Sequence, residues 1–119
     1  MQWNKSIEYS KLIKKILESH VELCQRQANS ALETFLVADD VNHHYLWMNL
    51  GWQKGDRVNG PTVYVLIREE KFWIEENWTE EGIATDLLRA GVPKTDIVLA
   101  FHEPKIRELT GFAVANSLP

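Results

Sequence analysis

Residues 42–52 read "NHHYLWMNLGW", with His43 beside His44 and with Tyr45, Trp47 and Trp52 following. Such residues can ligate a metal, stack nucleobases or fill a core. A metal needs side chains that converge. Successive side chains of a strand point to opposite faces, so His43 and His44 diverge if the strand has begun there. Only in a turn would they converge, with Asp39 and Asp40 close by. The alternation that follows reads as a strand, and no metal or cofactor is expected. Cys24 is the only cysteine, which excludes a cysteine zinc site and an intramolecular disulfide.

His102 and Glu103, with Arg107 a helical turn further on, form the other polar grouping with catalytic potential. A histidine at a strand–helix junction more often caps or packs than reacts. The glutamate pairs Glu69–Glu70, Glu75–Glu76 and Glu80–Glu81 could serve acid–base chemistry, but adjacent glutamates in turns and helix starts are usually solvated. The chain has no G-x-S-x-G, no phosphate-cradling glycine loop and no H-E-x-x-H. No catalytic residue is assigned, and the expectation is a protein that is not an enzyme.

The chain has 119 residues and a formal net charge of −4. That length fits one domain over residues 1–119. The acidic balance argues against sequence-independent DNA binding, which needs a cationic face to displace counterions. A local basic cluster, Lys11, Lys14 and Lys15, reads as a solvated helix face. No apolar run is long enough to span a bilayer, and the N-terminus has no secretion-signal pattern, so a cytoplasmic protein without membrane contact is expected.

Stepping along the chain, Tyr9, Leu12, Ile13, Ile16, Leu17, His20, Val21 and Cys24 keep the i, i+3, i+4 spacing of an amphipathic helix. Asn4 or Ser6 can cap it. His20 lies in the apolar stripe and reads as a satisfied, half-buried side chain. Four strand-like runs follow: "ALETFLVAD", "HYLWMNLGW", "RVNGPTVYVLI" and "KFWIEEN". Their short links imply an antiparallel meander. Pro61 cannot donate to a ladder, so a bulge or edge is expected beside it. A second helix is expected to start with Thr79 as N-cap, Glu80 and Glu81 in its first turn, and Trp78 stapled onto Ile83. Gly91 should take the left-handed position that ends it. A short buried strand, "IVLAF", and a final helix, "EPKIREL", complete an α+β architecture: N-terminal helix, four-stranded antiparallel meander, helix, short strand and C-terminal helix.

Leu46, Met48, Leu50 and Trp52 fall on one face of the second strand and are expected against the helices. Tyr45 and Trp47 fall on the other, joined by Trp73. Phosphate would be repelled there by Glu69, Glu70, Glu75 and Glu76. The aromatic face therefore reads as a protein-binding patch with Trp47 and Trp73 as anchors and those four glutamates as its rim.

The run "NLGWQKGDRV" (Asn49–Val58) and the segment "KFWIEENWTEEGIATDLLRAGVPKTDIVLAFHEPKIRELTGFAVA" resemble the XisI family, the fdxN element excision controlling factors of cyanobacteria. The resemblance rests on "GW", on the "WI" strand followed by "TE", on "GVPKTDIVLAFH" and on "FAVA", and spans about residues 30 to 116. Two places depart from it: "REEK", where relatives tend to carry a glycine-containing turn, and the proline of "NGP". The resemblance implies a role in programmed excision of a DNA element during heterocyst differentiation, beside a separate recombinase and a companion protein, XisH, that is similar to restriction-type nucleases. It carries over no catalytic residue. Gly51, Trp52, Gly91, Pro93, Asp96, His102, Pro104 and Arg107 are its landmarks. The leading expectation is a non-enzymatic accessory protein that binds an XisH-like partner, with self-association left open. The alternatives are a small enzyme or nuclease subunit using His102, Glu103 and Arg107, and a single-stranded nucleic-acid binder using Tyr45, Trp47 and Trp73.

Overall fold

The structure is a computed structural model and describes residues 4–27, 31–107 and 109–113. The end of the "QRQANS" loop (residues 28–30), Glu108 of the expected final helix and the family-like tail from residue 114 lie outside the described residues.

Helix α1 spans Lys5–Gln25. Asn4 caps it, its side-chain oxygen accepting from the Ile7 N–H at 3.2 Å. Its apolar stripe buries Tyr9, Ile13, Leu17 and Val21. The strands are β1 (Leu32–Asp39), β2 (His44–Gln53), β3 (Asp56–Arg68) and β4 (Lys71–Asn77), each antiparallel to the next. Helix α2 (Ile83–Arg89) leads to β5 (Ile97–Leu99), and α3 (Pro104–Arg107) follows. β5 adds to β4 in parallel, so the sheet has five strands in the order β1-β2-β3-β4-β5 rather than the expected four. The crossover through α2 is what lets β5 run parallel to its neighbour.

Both tight hairpins have positive φ at their two central residues: Lys54 (51°) and Gly55 (85°), then Glu69 (55°) and Glu70 (61°). That twist matches the flanking strands. Glu69 and Glu70 therefore hold the conformation a glycine-containing turn adopts more cheaply, and the departure "REEK" leaves the turn geometry intact. Pro61 produces the expected bulge: Trp47 pairs with Val63 and Met48 with Pro61, leaving Thr62 as the extra residue.

Gly91 has φ 96°. The Val92 N–H bonds to the Leu87 carbonyl at 3.0 Å and the Gly91 N–H to Leu88 at 3.0 Å, a complete Schellman end for α2. The start of α2 differs from expectation. Thr79 does accept from the Gly82 N–H, at 3.0 Å, but Gly82 has φ 85° and the helix begins only at Ile83. Glu80 and Glu81 precede it, and Trp78 is exposed rather than packed on Ile83.

The main core lies between α1, α2 and one sheet face. Tyr45, Trp47, Val63, Val65, Ile67, Phe72 and Ile74 supply the sheet side of it. This reverses the face assignment made from the sequence. Trp47 is 9% exposed and packs under α1, whereas Trp52 is 62% exposed on the opposite face with Leu46, Met48 and Leu50. Trp47 and Trp73 therefore do not share a face. Trp73, 3% exposed, belongs to a second cluster with Leu66 and Val98.

Denaturant unfolding should separate the two tryptophans: Trp47→Ala should cost about 3–5 kcal/mol, the range for emptying a buried aromatic site, and Trp52→Ala less than about 1 kcal/mol. Equal losses would contradict the face assignment.

Candidate functional site

Polar ties along its length hold α1 to the rest of the chain, the last of them Gln25 Nε2 donating to the Thr34 carbonyl at 2.8 Å. At its start, Asp96 accepts from the Tyr9 hydroxyl and from Lys5 Nζ at 2.6 Å, and the Tyr9 ring stacks on Phe72 with centroids 4.4 Å apart. Burial opposes ionisation of Asp96, but the Lys5 and Tyr9 hydrogen bonds outweigh it and hold the carboxyl below its ordinary range. Burial, reinforced by Asp96, pushes the Tyr9 phenol up, so it stays protonated and donates.

One helical turn later, the fully buried Tyr45 places its hydroxyl 2.8 Å from Asp40 Oδ1 and 2.9 Å from Ser10 Oγ. Asp40 also pairs with Lys14 at 2.8 Å. Tyr45 has one proton, and Ser10 is also placed to donate to the Ser6 carbonyl at 2.8 Å. The arrangement that keeps both Tyr45 contacts has Tyr45 donating to Asp40 and Ser10 donating to the Tyr45 oxygen. Burial pushes the Tyr45 phenol up to about 12. His43 Nδ1 lies 3.3 Å from Ser10 Oγ, and Ile7, Ser10, Lys11, Lys14, Asp40 and His43 line a pocket of about 260 Å³.

Further along α1, His20 Nε2 lies 2.9 Å from Asp86 Oδ2 on α2, and the His20 ring stacks on Trp47 at 5.4 Å. His20 is thus the half-buried, partnered side chain its position in the apolar stripe implies.

The two adjacent histidines do diverge, although the strand begins at His44 and His43 sits in the turn with φ 60°. His43 faces Ser10 under α1, whereas His44 Nδ1 lies 2.8 Å from the Tyr64 hydroxyl on the opposite face. They cannot hold one ion together.

His102, Glu103 and Arg107 are near one another, but their geometry is that of a brace. Arg107 is buried; its Nε donates to the His102 carbonyl at 3.0 Å and its Nη2 to the Ala100 carbonyl at 3.3 Å. The guanidinium lies 5.9 Å from the Trp73 ring centre, with Arg68 at 5.6 Å. The His102 ring packs on Phe101, and Glu103 is exposed. Arg107 thus fixes the loop after β5 over Trp73 by charge-assisted bonds to backbone oxygens. The anchors read from the sequence, Trp47 and Trp73, are both covered, and Tyr45 with them, so these rings cannot stack bases.

The exposed tryptophan beside the acidic residues is instead Trp78, 77% exposed. Its Nε1 donates to Glu76 at 3.3 Å. It borders an open groove of about 410 Å³ shared with Asn49, Arg57, Asn59, Pro61 and Thr62. Glu75 is the extra residue of a bulge opposite Tyr64, whose phenol burial chiefly, and the Glu75 charge in addition, push up. Glu69 and Glu70 sit at the far hairpin tip. The four rim glutamates therefore do not surround one patch. Sequence reading missed the groove because Trp78 looked like a helix staple.

The fold and these surfaces define a small α+β protein in which α1 and α2 cover one face of a five-stranded sheet. The family model described as "XisI protein" matches residues 3–114, and the chain belongs to the XisI family. It is similar to the crystal structure of a XisI-like protein from Anabaena variabilis, at 33% identity over 92% of this chain and 99% of that one, with a TM-score of 0.83. It is also similar to the crystal structure of the fdxN element excision controlling factor XisI from Anabaena variabilis, at 36% identity, 94% and 100% coverage and a TM-score of 0.80. None of the curated proteins matches this chain. No described helix is long and apolar enough to cross a membrane.

The depressed Asp96 carboxyl has a signed consequence. Its contribution is complete above the pKa of an unfolded aspartate, about 3.9, and is lost as pH falls through the lower folded value. Asp96→Asn should destabilise the fold by about 1.5–3 kcal/mol at pH 7, the scale of a charge-assisted bond. The gap between the two proteins should begin to narrow below about pH 4 and close as pH falls through the lower folded value. Urea melts at pH 7 and pH 3 read it, and a gap that does not change with pH would contradict it.

Proposed function

We propose that this chain is a non-enzymatic accessory protein that helps control excision of a DNA element by binding a partner protein of XisH type. The excision role is supported by membership of the XisI family and by similarity to a protein described as an fdxN element excision controlling factor. The contact mode is carried by one observation: Trp78 stands exposed beside a groove, with Glu76 bonded to its indole and Glu80 and Glu81 exposed just after it. A large aromatic ring next to carboxylates fits a basic protein surface. The same carboxylates repel phosphate, which favours contact with a protein over direct contact with DNA.

Kinetic binding to a purified XisH-like protein at two salt concentrations tests the proposal. Trp78→Ala should speed dissociation, weakening affinity by roughly 30-fold, about 2 kcal/mol. Reversing Glu76 and Glu80 to lysine should slow association, by less as salt rises. Unchanged rates in both variants remove this surface. Tight DNA binding, or nucleic-acid cleavage, by the chain alone overturns the accessory reading.

A further inference from the structure

The loop and α3 after β5 cover only half of the second sheet face. Leu66, Trp73 and Val98 are closed over there, with Ala100 and Ala113 packed on them. Over β1, β2 and the part of β3 before Leu66, no described element covers the same face. The pairing sets its rows: Glu33–Leu50–Asn59, Phe35–Met48–Pro61, Val37–Leu46–Tyr64 and Asp39–His44–Leu66. Trp52 with Arg57 ends it at one hairpin, and Arg68 extends it beyond Leu66 at the other. Its centre is apolar, with Phe35, Leu46, Met48 and Leu50 half-buried and Val37 and Trp52 exposed. Continuous apolar surface of this kind on a sheet marks an interaction site.

The charges decide what covers it. Glu33 and Asp39 lie towards the two ends of β1; Arg57 and Arg68 lie at the two ends of β3, on the other side of β2. Among the described residues none of these four is in an ion pair. Consider a two-fold axis in the plane of contact, running along β2. It sets β1 of one copy over β3 of the other, so Glu33 approaches the partner copy's arginine of the Trp52 row and Asp39 approaches that of the hairpin tip. β2 then packs on itself through Leu46, Met48 and Leu50. The surface is complementary to itself under one rotation, as an isologous interface requires. Two sheets stacked this way lie about 10 Å apart with strands nearly aligned. Three strands at about 4.8 Å and ten residues at about 3.4 Å give roughly 500 Å² in projection. Side-chain relief brings that near the ~800 Å² per partner of a standard interface.

We propose that this open half-face is the interface of a two-fold dimer of the chain, with β2 at its centre and the β1 carboxylates against the β3 arginines. It shares Arg57, Asn59 and Pro61 with the rim of the Trp78 groove, but Met48 lies outside that groove and the dimer is read without any partner protein, so either proposal can fail without the other.

Sedimentation equilibrium from micromolar to several hundred micromolar tests it. The wild type should reach twice the chain mass. Met48→Arg sets two like charges face to face near the axis and should raise the dissociation constant by at least about 100-fold, the effect of a central hot-spot residue. A circular dichroism melt checks that this variant is folded. Glu33→Arg and Arg57→Glu should each weaken the dimer by about 10-fold, and the double reversal should restore it, because rim charges act in pairs. A wild type that stays monomeric throughout overturns the proposal and assigns the face to another partner or to cover from within the chain. A dimer that survives Met48→Arg, or a double reversal no better than its parents, places the interface elsewhere.

Discussion

The Tyr45 hydroxyl meets Asp40 and Ser10 where α1, β2 and the first turn come together, and this contact decides which way the sheet faces. A strand has a period of two, so fixing one side chain under the helix fixes every other one along it. With Tyr45 inside, Trp47 follows it under α1, and Leu46, Met48, Leu50 and Trp52 must turn to the other face. Lys14 completes the tie by pairing with Asp40, whose carboxyl that hydrogen bond and the one from Tyr45 hold below its usual range. The ties at Asp96 and Asp86 then set the direction in which α1 crosses the sheet.

This arrangement runs against simple hydropathy. The inward set carries polar tips and the outward set is mostly apolar, Leu46, Met48 and Leu50 with Trp52. The inward set wins because the hydroxyl and amide tips have partners waiting, Ser10 and Asp40 for Tyr45 and Thr34 and Thr62 for Asn49, while the Trp47 ring stacks on His20. Buried polar groups cost little when satisfied and much when not. The exception is the Trp47 indole N–H, which is buried without a partner among the described residues. Satisfying the inward set leaves an apolar surface on the other side, and the described residues after β5 close only part of it.

Features encoded within a few residues were legible in the sequence. The stripe of α1, the Asn4 cap, the bulge at Pro61 and the Schellman end at Gly91 all depend on near neighbours. The face of β2 was not legible, because it depends on Tyr45 finding Ser10 35 positions away. Asp96 could not be matched with Tyr9 for the same reason, at a separation of 87. The start of α2 was misread because Thr79–Glu80–Glu81 imitates a capping signal, while Gly82 adopts a conformation that delays the helix. The short "IVL" run announced a strand but not the edge it would join.

The most direct test of this account is hydrogen exchange of the indole N–H protons by NMR, on the Met48→Arg variant so that self-association does not interfere. With Tyr45 and Trp47 under α1, the Trp47 and Trp73 signals should persist for hours and the Trp52 signal should vanish within minutes. A protected Trp52 beside a rapidly exchanging Trp47 would mean that the helix covers the other face, and would contradict the account at its root.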